Sequence, residues 1–107
     1  MGSTPKVKNF FKQPWESFVP YGDFEDVLES GETIDTNNST VTAKDKDGNA
    51  VTDILSGSPY VVDVYKYCQR VVSGDPDLDP YLITFRIQTN LNNKWEVDVK
   101  MKVGELV

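Results

Sequence analysis

The sequence has 107 residues, a net charge of −6, 38% hydrophobic residues and 26% charged residues, which is typical of one soluble globular domain. It contains no histidine and a single cysteine, Cys68, which excludes a Ser-His-Asp triad, a histidine-ligated zinc site and an internal disulfide. The acidic balance argues against a nucleic-acid partner, and no apolar run approaches the length of a membrane helix.

The first segment of the chain combines lysines with aromatic residues and has no carboxylate before residue 16. These residues are Lys6, Lys8, Phe10, Phe11, Lys12 and Trp15. Aromatic anchors with a cationic rim are typical of protein interfaces. The segment therefore predicts a partner-binding N-terminal arm, residues 1–15, ahead of a single domain of residues 16–107. The alternative is that these aromatic side chains cover an edge of the domain's own sheet.

Short segments of β-forming residues follow the arm. Strands are predicted at 32–35, 40–44 and 50–55, and residues 59–72 predict one long strand or two strands joined at a bend. Asp-Gly at 47–48 favours a hairpin turn between the second and third of these strands. Helical periodicity is weak throughout, and only residues 24–28 predict a single helical turn.

The clearest pattern is the alternation of apolar and polar residues at 81–89 and 95–103. Because successive side chains of a strand point to opposite faces, both segments are predicted to be strands with one buried face, carrying Phe85 and Trp95 inward. Asn-Leu-Asn-Asn between them predicts the turn of an antiparallel hairpin. Together the elements predict an all-β fold, an immunoglobulin-like or fibronectin III-like antiparallel β-sandwich of about six to seven strands.

Two acidic loops contain the carboxylates that a cation would use as ligands. They are Asp45 and Asp47 in the first loop, and Asp75, Asp77 and Asp79 in the second. Both loops lack the glycine and the glutamate that a helix–loop–helix calcium site requires at its sixth and twelfth positions. Pro76 and Pro80 instead favour a corner between strands. We therefore predict no metal site and no cofactor.

No pair of carboxylates is distinguished as a hydrolase would require, so the sequence predicts no catalytic residue and no enzymatic activity. A small hydrolase is the least favoured of the functions considered.

Several short motifs, taken in order, resemble small immunoglobulin-like structural proteins encoded by phages and prophages near their head and head–tail genes. They are Lys-x-Pro-x-Glu at 12–16, Asp-Phe at 23–24, Gly-Glu-Thr-Ile at 31–34, and Trp-Glu-Val-Asp at 95–98. The resemblance covers residues 12–103. The chain departs from the pattern in its acidic corner at 73–80 and in its basic Phe10-Phe11 arm.

The resemblance implies a non-enzymatic virion protein, made in the host cytoplasm, that contacts capsid, connector or tail proteins. A homo-oligomer is a further option, and neither nucleic acid nor membrane is expected as a partner. The alternative from another class is a carbohydrate- or cell-surface-binding β-sandwich that uses exposed tyrosines and, with calcium, the acidic loops.

Overall fold

The computed structural model describes residue 5 and residues 7–104 of the chain. In this part of the chain there are eight strands and two 3-10 turns, at Thr36–Asn38 and Pro76–Leu78. The strands are β1 (Phe10–Lys12), β2 (Tyr21–Asp23), β3 (Thr40–Lys44), β4 (Ala50–Val51), β5 (Leu55–Val62), β6 (Lys66–Val71), β7 (Tyr81–Gln88) and β8 (Lys94–Val103).

The strands form two sheets. The larger sheet has the order β1-β8-β7-β3-β4, and the smaller sheet has the order β2-β6-β5. All the strand pairs are antiparallel except β1 and β8, which are parallel. The predicted all-β sandwich is confirmed, with two three-residue strands, β1 and β2, that the sequence pattern did not reveal.

The β7–β8 hairpin supplies much of the core. Its inward residues alternate with exposed ones along both strands, and Phe85 is completely buried while Trp95 packs against the cluster. The smaller sheet contributes Tyr67, whose ring lies edge-on to Phe85 with the centroids 6.5 Å apart. Full burial of each such side chain contributes about 1.5–3 kcal/mol to the stability of the folded protein. The prediction that the large odd-numbered residues face a second sheet is therefore confirmed.

The two sheets approach closely where β2 crosses β8. A Cβ atom on Gly22 of β2 would lie 2.8 Å from Cγ2 of Val97 on β8 and 2.9 Å from the ring of Phe24. Glycine is therefore the residue that allows this contact between the layers.

Two predicted strands differ from the structure. Residues 32–35 make only an isolated bridge, between Ile34 and Thr89, and the strand predicted at 50–55 ends after Val51. The segment 59–72 matches the second of its two predicted alternatives, two strands joined at a bend: it falls in β5 and β6, and the chain reverses at Asp63 and Val64, which both have positive φ values. The single helical turn predicted at 24–28 is present, since the N–H groups of Val27 and Leu28 both donate to the carbonyl of Phe24.

Candidate functional site: an exposed aromatic surface

Exposed apolar side chains are concentrated in the N-terminal part of the described chain. Ten large hydrophobic side chains are exposed in the described residues, and half of them lie between residues 7 and 21. These five are Val7, Phe11, Trp15, Phe18 and Tyr21, here called the aromatic surface. Contiguous exposed apolar area of this kind marks a contact site more often than scattered single residues do.

The pairing of β1 with β8 divides the predicted arm into inward and outward residues. Phe10 packs edge-on against Phe18, with ring centroids 4.4 Å apart, and joins the core cluster. Phe11 points outward and is half exposed, and Lys12 points inward again, with only 2% of its surface exposed. Phe10 and Lys12 are thus part of the fold, and strand β1 belongs to the sandwich although the predicted domain boundary followed residue 15.

The buried Lys12 holds a turn that projects Trp15 into solvent. Its ammonium donates to the carbonyls of Gln13 (2.9 Å) and Pro14 (3.2 Å). Glu16 closes the turn from the other side, since its N–H donates to the Gln13 carbonyl at 3.1 Å and its carboxylate accepts the Gln13 N–H at 2.7 Å. Trp15, at the third position of this turn, is 94% exposed. We call residues 13–16 the Trp15 turn.

The electrostatics of the Trp15 turn follow from this burial. Desolvation lowers the pKa of Lys12, and the nearby Glu16 carboxylate acts in the opposite direction. Lys12 therefore serves the turn as an internal hydrogen-bond donor. The Lys-x-Pro-x-Glu motif at 12–16 is thus a structural device that displays the residue between its proline and its glutamate.

Two depressions flank Phe18. One, of about 360 Å³, lies along the Trp15 turn. The other, of about 410 Å³, is here called the Val19 pocket. Its lining is formed by Val7, Lys8, Phe18, Val19, Pro20, Tyr21 and Asp23. Of the predicted site residues, Lys8 is exposed and lines this pocket, whereas Lys6 lies outside the described residues.

Sequence reasoning missed Phe18 and Tyr21 as surface residues. They flank Pro20 and lie beside β6, where Phe18 bridges Val71 and Tyr21 opposes Cys68. No local sequence pattern indicates that Phe18 and Tyr21 lie on the surface beside β6. The reason is that β2 has only three residues and its partner β6 lies more than forty positions away in the chain.

The outer face of the smaller sheet carries two exposed tyrosines, Tyr21 of the aromatic surface and Tyr60. Tyr21 and Tyr60 lie on either side of Cys68 in the strand register, and both are more than two-fifths exposed. The thiol between them is only 5% exposed. Burial raises the pKa of Cys68, opposed by the Lys66 ammonium and reinforced by Asp63. This is the environment of an unreactive structural cysteine.

The acidic loops use their carboxylates to hold the backbone. Asp45 accepts the N–H groups of Asp47 and Asn49, and Asp75 accepts that of Asp77. Asp79 accepts the N–H of Val103 at 2.6 Å. The described residues contain no group of three or more potential metal ligands.

The acidic corner is also fixed from its C-terminal side. The hydroxyl of Tyr81, at the start of β7, accepts the N–H of Asp75 at 3.0 Å. Gly74 has φ +120°, and a Cβ there would lie 2.9 Å from Cγ2 of Val103. Residues 73–80 thus form the corner that the proline and aspartate content predicts.

A buried carboxylate, Glu32, organises the opposite end of the sandwich. It is 2% exposed and accepts hydrogen bonds from the Thr89 hydroxyl, the Asn93 side-chain amide (2.9 Å) and the Glu29 N–H (2.9 Å). These partners fasten the loop before residue 33 to the β7–β8 turn. The hydrogen bond from Thr89 is the main cause that lowers the pKa of Glu32. Its role is structural.

A third depression, of about 420 Å³, lies on the larger sheet near the same end. Arg86 and Glu96 form an ion pair there, both of them well exposed. Exposed ion pairs of this kind contribute about 0–1 kcal/mol to stability. Because both charged side chains stay in water, we interpret this depression as a solvated face of the sheet.

Comparison with solved structures identifies the class of fold. The chain is similar to Dpr1 IG1 in a crystal structure bound to DIP-eta IG1, with 10% identity, a TM-score of 0.54, and coverage of 94% of this chain and 95% of that one. It is equally similar to the titin M3 domain, with 10% identity, a TM-score of 0.54, and coverage of 94% and 97%. The fold is therefore an immunoglobulin-like β-sandwich. The sequence matches no protein-family model and no curated protein.

No helical segment in the described part of the chain has the length and apolarity needed to cross a lipid bilayer.

Proposed function

We propose that this chain is a non-enzymatic interaction protein, a phage or prophage virion component that docks on a head, neck or tail protein through its aromatic surface. The observation that carries the proposal is Trp15, 94% exposed on a turn that Lys12 and Glu16 hold in place. Tryptophan is enriched among the residues that dominate binding energy. A backbone turn that is already formed before binding loses less conformational entropy on docking.

Two further observations support an interaction role. The similar Dpr1 IG1 domain was crystallised bound to a second IG1 domain, that of DIP-eta. The order of the sequence motifs resembles phage structural proteins over residues 12–103. A fold of this class hosts many functions, so the surface carries the assignment.

The test is incorporation into particles. Particles purified from the producing host by density gradient should contain the wild-type protein, and Trp15→Ala should reduce its amount by at least tenfold, because a central tryptophan contributes about 2 kcal/mol or more. Leu91→Ala is the matched control, since Leu91 is half exposed on the β7–β8 turn at the other end of β8. Absence of the wild-type protein from the particle fraction, with flanking genes unrelated to virion proteins, would remove the proposal.

A second candidate function is carbohydrate binding by the outer face of the smaller sheet. Tyr21 and Tyr60 sit two strands apart in one row across Cys68, or about 10 Å at the usual strand spacing. Two exposed aromatic rings in a row can stack on the apolar faces of sugar rings. A glycan array with and without calcium tests this candidate, and Tyr60→Ala should abolish any signal. No binding in either condition would eliminate it.

A further inference from the structure

We propose that the aromatic surface is a self-association interface, in which Trp15 of one copy inserts into the Val19 pocket of a second copy and the reverse contact forms at the same time. This inference rests on the interaction role proposed above, and it names the occupant of the same surface in the free protein, before docking: a second copy of this chain.

The protrusion and the depression lie side by side. The depression along the Trp15 turn and the Val19 pocket share Phe18 as a common wall. A two-fold axis brings the same surface of two copies together, so a protrusion and a depression on that surface can fill each other reciprocally. A surface that carried only one of them could not close on itself in this way.

The sizes match. The Val19 pocket has a volume of about 410 Å³, which is in the range that holds a group of ligand size. One indole ring is smaller than the drug-sized ligands that pockets of this volume hold. The pocket is lined chiefly by apolar side chains, so it suits an indole that is otherwise left almost entirely in water.

The charges beside the two elements are complementary. Glu16 is exposed next to Trp15, and Lys8 lines the pocket. Asp23, the acidic residue of the lining, lies opposite Lys66 in the β2–β6 register. Insertion of Trp15 therefore brings Glu16 of one copy towards Lys8 of the other. This local attraction offsets part of the repulsion between two chains that each carry a net charge of −6.

The expected affinity is low. The exposed parts of the aromatic surface supply on the order of 500 Å² of side-chain area per copy. A standard stable interface buries about 800 Å² per partner, so this contact lies at the small end of specific interfaces. We expect a reversible dimer with a dissociation constant in the micromolar range.

Sedimentation velocity of the purified full chain, from about 1 µM to about 1 mM, tests the proposal across the range in which such an interface dissociates. We expect a shift from monomer to dimer with rising concentration. Trp15→Ala, and Val19→Arg in the pocket, should each remain monomeric throughout, with circular dichroism spectra that match the wild type. Lys8→Glu provides a second variant of the pocket, and should weaken the dimer several-fold. Leu91→Ala should dimerise as the wild type does.

Mixing the two monomeric variants gives the sharpest test. The Trp15→Ala copy keeps an intact pocket and the Val19→Arg copy keeps an intact tryptophan, so an equimolar mixture should recover a weak dimer through one of the two contacts. Variants that had lost association by misfolding could not complement each other. A wild type that is monomeric up to the highest concentration, or a dimer that survives Trp15→Ala, would overturn the proposal.

The two proposals fail in distinguishable ways. A wild-type chain that is monomeric in solution but enters particles in a Trp15-dependent manner contradicts the dimer and leaves the docking function standing. A Trp15-dependent dimer that is absent from particles contradicts the docking function and leaves the dimer standing.

Discussion

The buried carboxylate of Glu32 can be tested by its replacement with glutamine. All three of its partners, the Thr89 hydroxyl, the Asn93 amide and the Glu29 N–H, donate to it. Glutamine has nearly the same shape, but one of its two terminal groups is an NH₂, which cannot accept. The Asn93 amide and the Glu29 N–H bond to different carboxylate oxygens, so in either orientation of the new amide one of these donors loses its acceptor.

The cost follows from that loss. A buried donor without a partner costs about 1–3 kcal/mol, so Glu32→Gln should lower the free energy of unfolding by about 2 kcal/mol at pH 7. For a domain of this size that corresponds to a fall in Tm of about 10 °C. Urea denaturation measures the difference, and Glu25→Gln, at an exposed position, should change it by less than about 0.5 kcal/mol. A Glu32→Gln effect as small as the control would refute the reasoning.

The same substitution predicts a pH dependence. The pKa of Glu32 in the folded protein is lowered from its ordinary value of 4.5, chiefly by the Thr89 hydroxyl and then by the Glu29 N–H, while burial opposes them and the Asn93 amide adds to them. The contribution of the ionised group is therefore complete above about pH 4.5 and is lost as the pH falls through the folded pKa. The difference between wild type and Glu32→Gln should be constant near neutral pH and shrink in acid. A difference that stays constant down to about pH 3 would contradict the assignment.

Three other predictions follow from the packing. Gly22→Ala places a Cβ 2.8 Å from Val97 and should lower stability by about 1–3 kcal/mol in a thermal melt; an unchanged Tm would show that the sheets can separate at this point. Tyr81→Phe removes the acceptor of the Asp75 N–H, so hydrogen exchange of that amide should accelerate at least several-fold, with about 1 kcal/mol lost from global stability. The Cys68 thiol, buried and with a raised pKa, should react with an aromatic disulfide reagent only as the protein unfolds, and fast labelling under native conditions would place it at the surface.

The part of the fold that the sequence predicts best is the β7–β8 hairpin. The predicted segments, 81–89 and 95–103, agree with β7 and β8 to within one residue at each end. The reason is that one face of each strand is buried along its whole length, so every residue contributes to the alternation. The turn at 63–65 shows the opposite case. Val64 adopts φ +68°, a conformation that β-branched residues rarely adopt, and no turn propensity indicates it.

The candidate site could be predicted only in part. Phe11 and Trp15 are exposed as an interface would require, but the adjacent Phe10 and Lys12 point inward. Two aromatics followed by a lysine do not reveal which residue of a three-residue strand faces the core. That choice is made by the pairing of β1 with β8, far away in the chain, and the sequence pattern carries no information on it.

The position of β1 also has a consequence for when the Trp15 turn forms during synthesis. β1 is held against β8 by parallel pairing, and the side chain of Asn9 accepts the N–H of Lys100, 91 residues further along the chain. Contacts of such long separation form late, since the intervening chain must first be ordered. A nascent chain that has not yet emerged from the ribosome as far as residue 103 lacks the strand that aligns β1. The tryptophan is therefore displayed in its final setting only after residues 101–103 have been made and have paired with β1.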